Sequence, residues 1–212
     1  MKKDSVFLFD LDGVIIDTEP QYDRIWKQIA ENYQLGIEHF ERLIKGTILP
    51  SIMEKYFSHL SLEEQQTVKK TVNALELEMD IIPIPGVLDF LNELKTAQAK
   101  IGLVTSSADE KLEYVFRELP IKHYFDTIVS ADRITRGKPD PMCFLLAAQD
   151  LNVSTEECIV FEDSFNGIKS GKAAGMKVIG LSTTNSAESI EKDCVMVIPD
   201  FKNLAVASLQ NL

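Results

Sequence analysis

The sequence predicts a doubly wound α/β fold: a Rossmann-like parallel sheet covered on both faces by helices, with a small all-helical segment inserted after the first strand. Three observations predict it. Short apolar or β-branched runs alternate with helical patterns from about residue 86 onward, as in a parallel sheet buried on both faces. The first such run, Val6–Phe9, has no strand-like successor until Ile101. The stretch between, Asp17–Ile82, reads as helix throughout.

The first strand is Val6–Phe9. Glu19–Tyr33 follows with Tyr22, Ile25, Trp26, Ile29, Ala30 and Tyr33 at helical spacing. Ser51–Leu60 and Leu62–Met79 are two further periodic stretches, and Ser61 with Glu64 forms a capping-box pattern. Pro83, Pro85 and Gly86 close the segment with breakers. The insertion is therefore expected at 16–83, with 1–15 and 84–212 forming the α/β core and the linkers near Ile15–Asp17 and Asp80–Pro85. In the core, strands are expected at Ile101–Thr105, Thr127–Ser130, Ile159–Phe161, Val178–Leu181 and Val195–Ile198. Helices are expected at Gly86–Ala97, Asp109–Glu118, Pro141–Asp150 and Gly167–Ala174, with Pro141 tolerated near a first turn.

Composition excludes several classes. In 212 residues, 45% apolar and 26% charged content is ordinary for a globular chain and unlike a disordered or fibrous one. A net charge of −11 disfavours nucleic-acid binding, which needs a basic surface. Cys143, Cys158 and Cys194 are widely spaced and show neither disulfide nor zinc patterning, so a reducing cytoplasm is expected. Lys2 and Lys3 before Val6–Phe9 faintly mimic a signal peptide, but Asp10 and Asp12 end the apolar run too early. No run approaches the roughly 18 apolar residues of a membrane span.

The chemistry concentrates at strand ends. Asp10-Leu11-Asp12-Gly13-Val14 directly follows the first strand, where open α/β sheets bind ligands. An Asp-Gly turn is the plain alternative. An EF-hand does not fit: the sixth position from Asp10 is Ile15 rather than Gly, and the twelfth is Gln21 rather than Glu. Glu162-Asp163-Ser164 ends another strand, where Asp163 or Ser164 would also serve as a helix cap. Taken together, these carboxylates make a hard-oxygen site suited to Mg²⁺. Lys138 lies between Gly137 and Pro139 in a loop before a helix. Thr105-Ser106-Ser107 ends a further strand. These hydroxyls suit either capping of the next helix or holding a phosphate at its N-terminus.

With these residues in order, the chain resembles the haloacid dehalogenase superfamily, in the β-phosphoglucomutase-like branch with a small helical cap after the first strand. The resemblance rests on Asp10-Leu11-Asp12-Gly13-Val14, Leu103-Val104-Thr105-Ser106-Ser107, Gly137-Lys138-Pro139-Asp140-Pro141, and Phe161-Glu162-Asp163-Ser164 through Gly167 and Ala173-Ala174-Gly175-Met176. Asp17-Thr18-Glu19-Pro20 and Pro85-Gly86-Val87 resemble the branch at the two cap junctions. The resemblance implies Asp10 as a nucleophile forming an aspartyl-phosphate, and Asp12 as acid and then base. It implies Thr105 and Lys138 on the phosphoryl oxygens, and Asp10, the Asp12 carbonyl, Glu162 and Asp163 around Mg²⁺. The substrate-binding set would be Gly13, Thr105, Ser106 and Lys138, with Lys45 and Gly46 from a cap loop facing the site.

The chemistry asks for such parts. Two unit charges 4 Å apart repel by about 4 kcal/mol at an effective dielectric near 20. A carboxylate meeting a phosphate dianion faces roughly double that, on the order of 10⁵ or more in rate. Mg²⁺ and Lys138 would offset it. In this superfamily the dehalogenases attack carbon and lack the second Asp, so Asp12 argues for phosphate chemistry. The expectation is a Mg²⁺-dependent phosphatase, monomeric or weakly dimeric, acting on a small phosphorylated metabolite, a sugar phosphate first. A phosphohexomutase is the alternative, and a catalytically silent binding protein the third reading. The mutases of the branch carry a His after the cap begins and an Arg in the loop after Lys-Gly. Here those places hold Tyr22 and Leu49. Tyr22, Trp26 and Thr47 are further residues near the expected pocket, with Tyr22 and Trp26 also fitting the apolar stripe.

Overall fold

The computed structural model describes residues 6–209. Lys2 and Lys3, and the outer ends of the expected core segments, lie outside the described residues. Strand β1 (Val6–Phe9) is followed by α1 (Glu19–Asn32), α2 (Phe40–Leu43), α3 (Leu49–Tyr56) and α4 (Leu62–Glu76). The chain then alternates: α5 (Val87–Thr96), β2 (Lys100–Val104), α6 (Asp109–Glu118), β3 (Thr127–Val129), α7 (Met142–Leu151), β4 (Cys158–Glu162), α8 (Phe165–Ala173), β5 (Lys177–Leu181), α9 (Ala187–Ile190) and β6 (Met196–Ile198).

Among the described residues the sheet has six strands in the order β3-β2-β1-β4-β5-β6, all paired in parallel. The chain leaves β1 to build one half of the sheet and returns to β1's other side to build the second half. That reversal opens a crevice beyond the carboxyl ends of β1, β2 and β4. The period-2 alternation of β1 divides the interior. Phe7 and Phe9 enter a core with Phe90, Phe161 and Phe201, where the Phe9 and Phe161 rings stack at 4.6 Å. Val6 and Leu8 enter the opposite core with Val104, Phe144 and Val160. Each fully buried side chain of this size contributes about 1.5–3 kcal/mol of transfer free energy, so β1 is fixed in depth and register from both sides.

Helices α1–α4 build a third core from Trp26, Ile29, Phe40, Phe57, Val68 and Val72, with Phe40 edge-on to Trp26 at 6.0 Å. Trp26 is buried in this core and also reaches the cleft between insertion and sheet. The segment is not helical throughout. Ile16 bridges to Pro83, and Asp17 N–H donates to the Ile82 carbonyl at 2.7 Å while Ile84 N–H donates to Ile15 at 2.9 Å, so the two linkers run side by side. The short α2 escapes the periodicity because four residues show no period, and His39 precedes it with φ +52°. Helix α8 starts two residues before the expected Gly167, because the Ser164 hydroxyl accepts from Gly167 N–H at 3.0 Å.

Candidate active site

Asp10 leaves the end of β1, and its N–H donates to the Phe161 carbonyl at 3.0 Å, which ties the ends of β1 and β4 together. Lys138 arrives from the loop between β3 and α7. Its ammonium reaches Asp10 Oδ1 at 2.9 Å, Glu162 Oε1 at 2.6 Å and the Val104 carbonyl at 3.2 Å, occupying all three donors. Burial works against the Lys138 charge, but Asp10 and Glu162 outweigh it and raise its pKa. Glu162, fully buried, accepts from Asp163 N–H, Ser164 N–H and Ser164 Oγ on its second oxygen. Gly167 permits this arrangement, because a Cβ there would collide with the Glu162 carboxyl group. Asp163 accepts from the Thr184 hydroxyl on its side chain and from Asn185 on its carbonyl.

Asp10, Glu162 and Asp163 each bring a carboxylate oxygen to within 4.8 Å of the others, all buried. Burial raises Asp10 to about 7 against the opposing pull of Lys138, and it holds Asp163 well above the ordinary range, with Glu162 adding to the rise. One ammonium, paired with Asp10 and Glu162, is set among three desolvated carboxyl groups. The all-oxygen donor set and the uncompensated negative charge fit a hard divalent cation such as Mg²⁺. Gly13 has φ +77°, and a Cβ there would strike the Asp163 carboxylate. Only glycine lets the Asp12–Gly13 turn pass so close.

Asp12 turns its side chain away from that cluster. It accepts from the Thr18 hydroxyl, from Ser107 Oγ at 3.0 Å, and from Lys111 at 2.5 and 2.7 Å. Thr105 is 1% exposed, and its N–H donates to the Val129 carbonyl at 2.9 Å. Its hydroxyl accepts from Ser107 N–H at 3.0 Å. Ser106 Oγ donates to the Gly46 carbonyl at 3.1 Å. The three hydroxyls therefore do not cap α6, whose Asp109 N–H goes to Asp132 instead.

A cleft of about 270 Å³ separates sheet and helical insertion. Asp10, Asp12, Thr105, Ser106 and Asp163 line one side, and Tyr22, Lys45, Gly46, Leu49 and Glu76 line the other. The loop carrying Lys45 and Gly46 sits on the start of α8, because Asn166 Nδ2 donates to the Lys45 carbonyl at 3.0 Å and to Thr47 Oγ1 at 3.1 Å. The Lys45 ammonium pairs with Glu19 and with Asp23, the latter at 2.9 Å. Burial opposes its charge, and Glu19 more than restores it. Tyr22 is not simply stripe: its hydroxyl donates to Glu76 at 2.5 Å and accepts from Lys111 at 2.7 Å.

Of the residues singled out in the sequence, Asp10, Lys138, Glu162 and Asp163 come together, with Asp12, Gly13 and Thr105 beside them. Thr184 and above all Lys111 were not anticipated, and Thr18 and Ser107, named in the sequence only within motifs, turn out to donate to Asp12. Lys111 did leave a signal: it stands four residues before Val115 on the buried stripe of α6, where a lysine needs a partner.

The haloacid dehalogenase-like hydrolase family matches residues 7–181. The chain is 35% identical over 182 residues to a phosphorylated carbohydrates phosphatase of Thermotoga maritima, covering 81% of this chain and 82% of that one. It is 34% identical over 189 residues to a β-phosphoglucomutase of Bacillus subtilis, covering 82% and 81%. A β-phosphoglucomutase structure from Clostridium difficile superposes with a TM-score of 0.82 at 28% identity, covering 98% of this chain and 96% of that one.

Proposed function

The chain belongs to the haloacid dehalogenase-like hydrolases and is a phosphatase of that family, and we propose that it hydrolyses the phosphate monoester of a small sugar or polyol through a phosphorylated Asp10. The observation that carries this reading is Lys138 bridging Asp10 and Glu162 behind a cleft that Asp10 and Asp163 line. The sugar class rests on the phosphorylated-carbohydrate phosphatase it resembles. In this reading residues 16–83 act as a cap on a core of 1–15 and 84–212.

Thr105 holds a phosphoryl oxygen, and Lys138, by exchanging one of its three present acceptors for another, draws off negative charge. An Asp10 oxygen attacks phosphorus, the ester P–O bond breaks, and the electron pair stays on the leaving oxygen, which takes a proton from Asp12. Asp12, now ionised, removes a proton from water as that water attacks the phosphorus. The Asp10–phosphorus bond breaks and inorganic phosphate leaves. Mg²⁺ would be held by Asp10, Glu162, Asp163 and the Asp12 carbonyl, and when bound it offsets the repulsion between Asp10 and the phosphoryl group.

The likeness to β-phosphoglucomutase favours a second reading, phosphohexomutase. A mutase must clamp a sugar phosphate in two orientations. Here Leu49 lines the cleft without charge, Lys45 is neutralised by Glu19 and Asp23, and Tyr22 is tied to Lys111 and Glu76. These support hydrolysis. With β-glucose 1-phosphate and Mg²⁺, phosphorus NMR is expected to show inorganic phosphate from any turnover. Accumulation of glucose 6-phosphate with little free phosphate would establish the mutase.

A further inference from the structure

Lys111 is 1% exposed and does not line the cleft. A buried ammonium is expensive unless every proton finds an acceptor. Here the acceptors are both Asp12 oxygens, at 2.5 and 2.7 Å, and the Tyr22 hydroxyl at 2.7 Å, with the Tyr22 ring 4.6 Å away. Tyr22 in turn donates to Glu76 at 2.5 Å. One cation from α6 of the core thus holds Asp12 of the strand-end loop, a tyrosine from α1 and, through it, a carboxyl group from α4 of the cap. Ser107 and Thr18 each donate once to Asp12. Lys111 reaches both oxygens, which fixes the plane of the carboxylate.

We infer that Lys111 is a positioning residue: it orients the Asp12 carboxylate for proton transfer and makes that orientation depend on the seating of the cap through Tyr22 and Glu76. The inference rests on the reading of Asp12 as proton donor to the leaving oxygen. It assigns a task to a residue that touches neither substrate nor phosphoryl group.

The test uses leaving-group dependence. An alkyl phosphate expels a strongly basic oxygen and needs a well-placed proton; an aryl phosphate such as p-nitrophenyl phosphate expels a weakly basic one and needs it less. Both esters pass through the same phosphorylated Asp10, and kcat/KM reads the step that forms it. Lys111→Met should lower kcat/KM for a hexitol phosphate at least about tenfold more than for p-nitrophenyl phosphate, within the range general-acid catalysis supplies. Equal losses, or none, would overturn the inference. Asp12→Asn is the control. Should it lower both esters equally, Asp12 is not the proton donor and the underlying reading falls. Should it be selective while Lys111→Met is not, only the role of Lys111 falls. If Lys111→Met does not fold, Tyr22→Phe decides, since it keeps the Lys111–Asp12 pair and removes the cap-side oxygen. A smaller selective loss on the hexitol ester supports the inference, and an unchanged ester ratio overturns it.

Discussion

Lys138 places one buried cation on Asp10, Glu162 and a backbone carbonyl, so its removal acts on stability and chemistry together. Lys138→Ala leaves two buried carboxyl groups without their counter-ion, which costs about 3–5 kcal/mol where such a pair is broken. It also removes positive charge from the phosphoryl site, so kcat is expected to fall by about 10²–10³. Thermal unfolding and steady-state rates measure the two effects separately; an unchanged rate in folded protein would return Lys138 to a structural role. The acidic cluster carries its own expectation. Activity should vanish with a chelator and return with Mg²⁺, whereas Ca²⁺ should restore little, because it takes more ligands at longer distances. Full activity in chelated protein would contradict Asp10, Glu162 and Asp163 as a metal site. Asp10 and Glu162 were legible because each directly follows an apolar run, Asp163 because it stands next to Glu162, and Lys138 because Gly and Pro fix it. Lys111 signalled a need for a partner by its place on the buried stripe of α6, but that partner, Tyr22, lies far from it in sequence, so no local pattern joins them.

At the scale of elements, sequence and structure agree wherever a run is long enough to show its period. The capping box at Ser61 and Glu64 is formed, with Ser61 N–H donating to Glu64 at 2.9 Å. Boundaries moved where a side chain decided them, as Ser164 did for α8. A surface link between β3 and α7 shows another such side-chain effect. Asp150 accepts from Arg133 at 2.7 and 3.2 Å and from the Thr127 hydroxyl. The Arg133 hydrogen bonds lower its pKa, partly opposed by desolvation and helped by Thr127. A carboxyl group depressed in the folded state stabilises above its unfolded pKa, and that stabilisation is lost as pH falls through the folded value. Asp150→Asn should therefore cost up to about 1 kcal/mol at neutral pH, given its partial exposure. The gap to the parent should close below the ordinary carboxylate pKa of 3.8. Urea unfolding at neutral and acidic pH measures it; a gap that widens in acid would contradict the assignment.

At the scale of the molecule, the order β3-β2-β1-β4-β5-β6 makes the site. Placing β1 between β2 and β4 brings Asp10, Thr105 and Glu162 to one crevice, although their positions are far apart in the chain. The alternation of runs announced a parallel sheet and the long helical gap announced an insertion. Neither could show that the insertion's loop would rest on Ser106 and Asn166, because that seam depends on pairings between distant segments. The same seam sets the loop carrying Lys45 and Gly46 against the cleft that Asp10 lines. The most direct measurement of the account is transfer of the substrate's phosphoryl group to that residue. After rapid acid quench of the Mg²⁺-supplied protein turning over a ³²P-labelled sugar phosphate, label is expected on the protein. It should be released by hydroxylamine, mapped to the peptide containing Asp10, and absent together with turnover in Asp10→Asn. Steady-state turnover by folded Asp10→Asn, or label on any other residue during turnover, would contradict it.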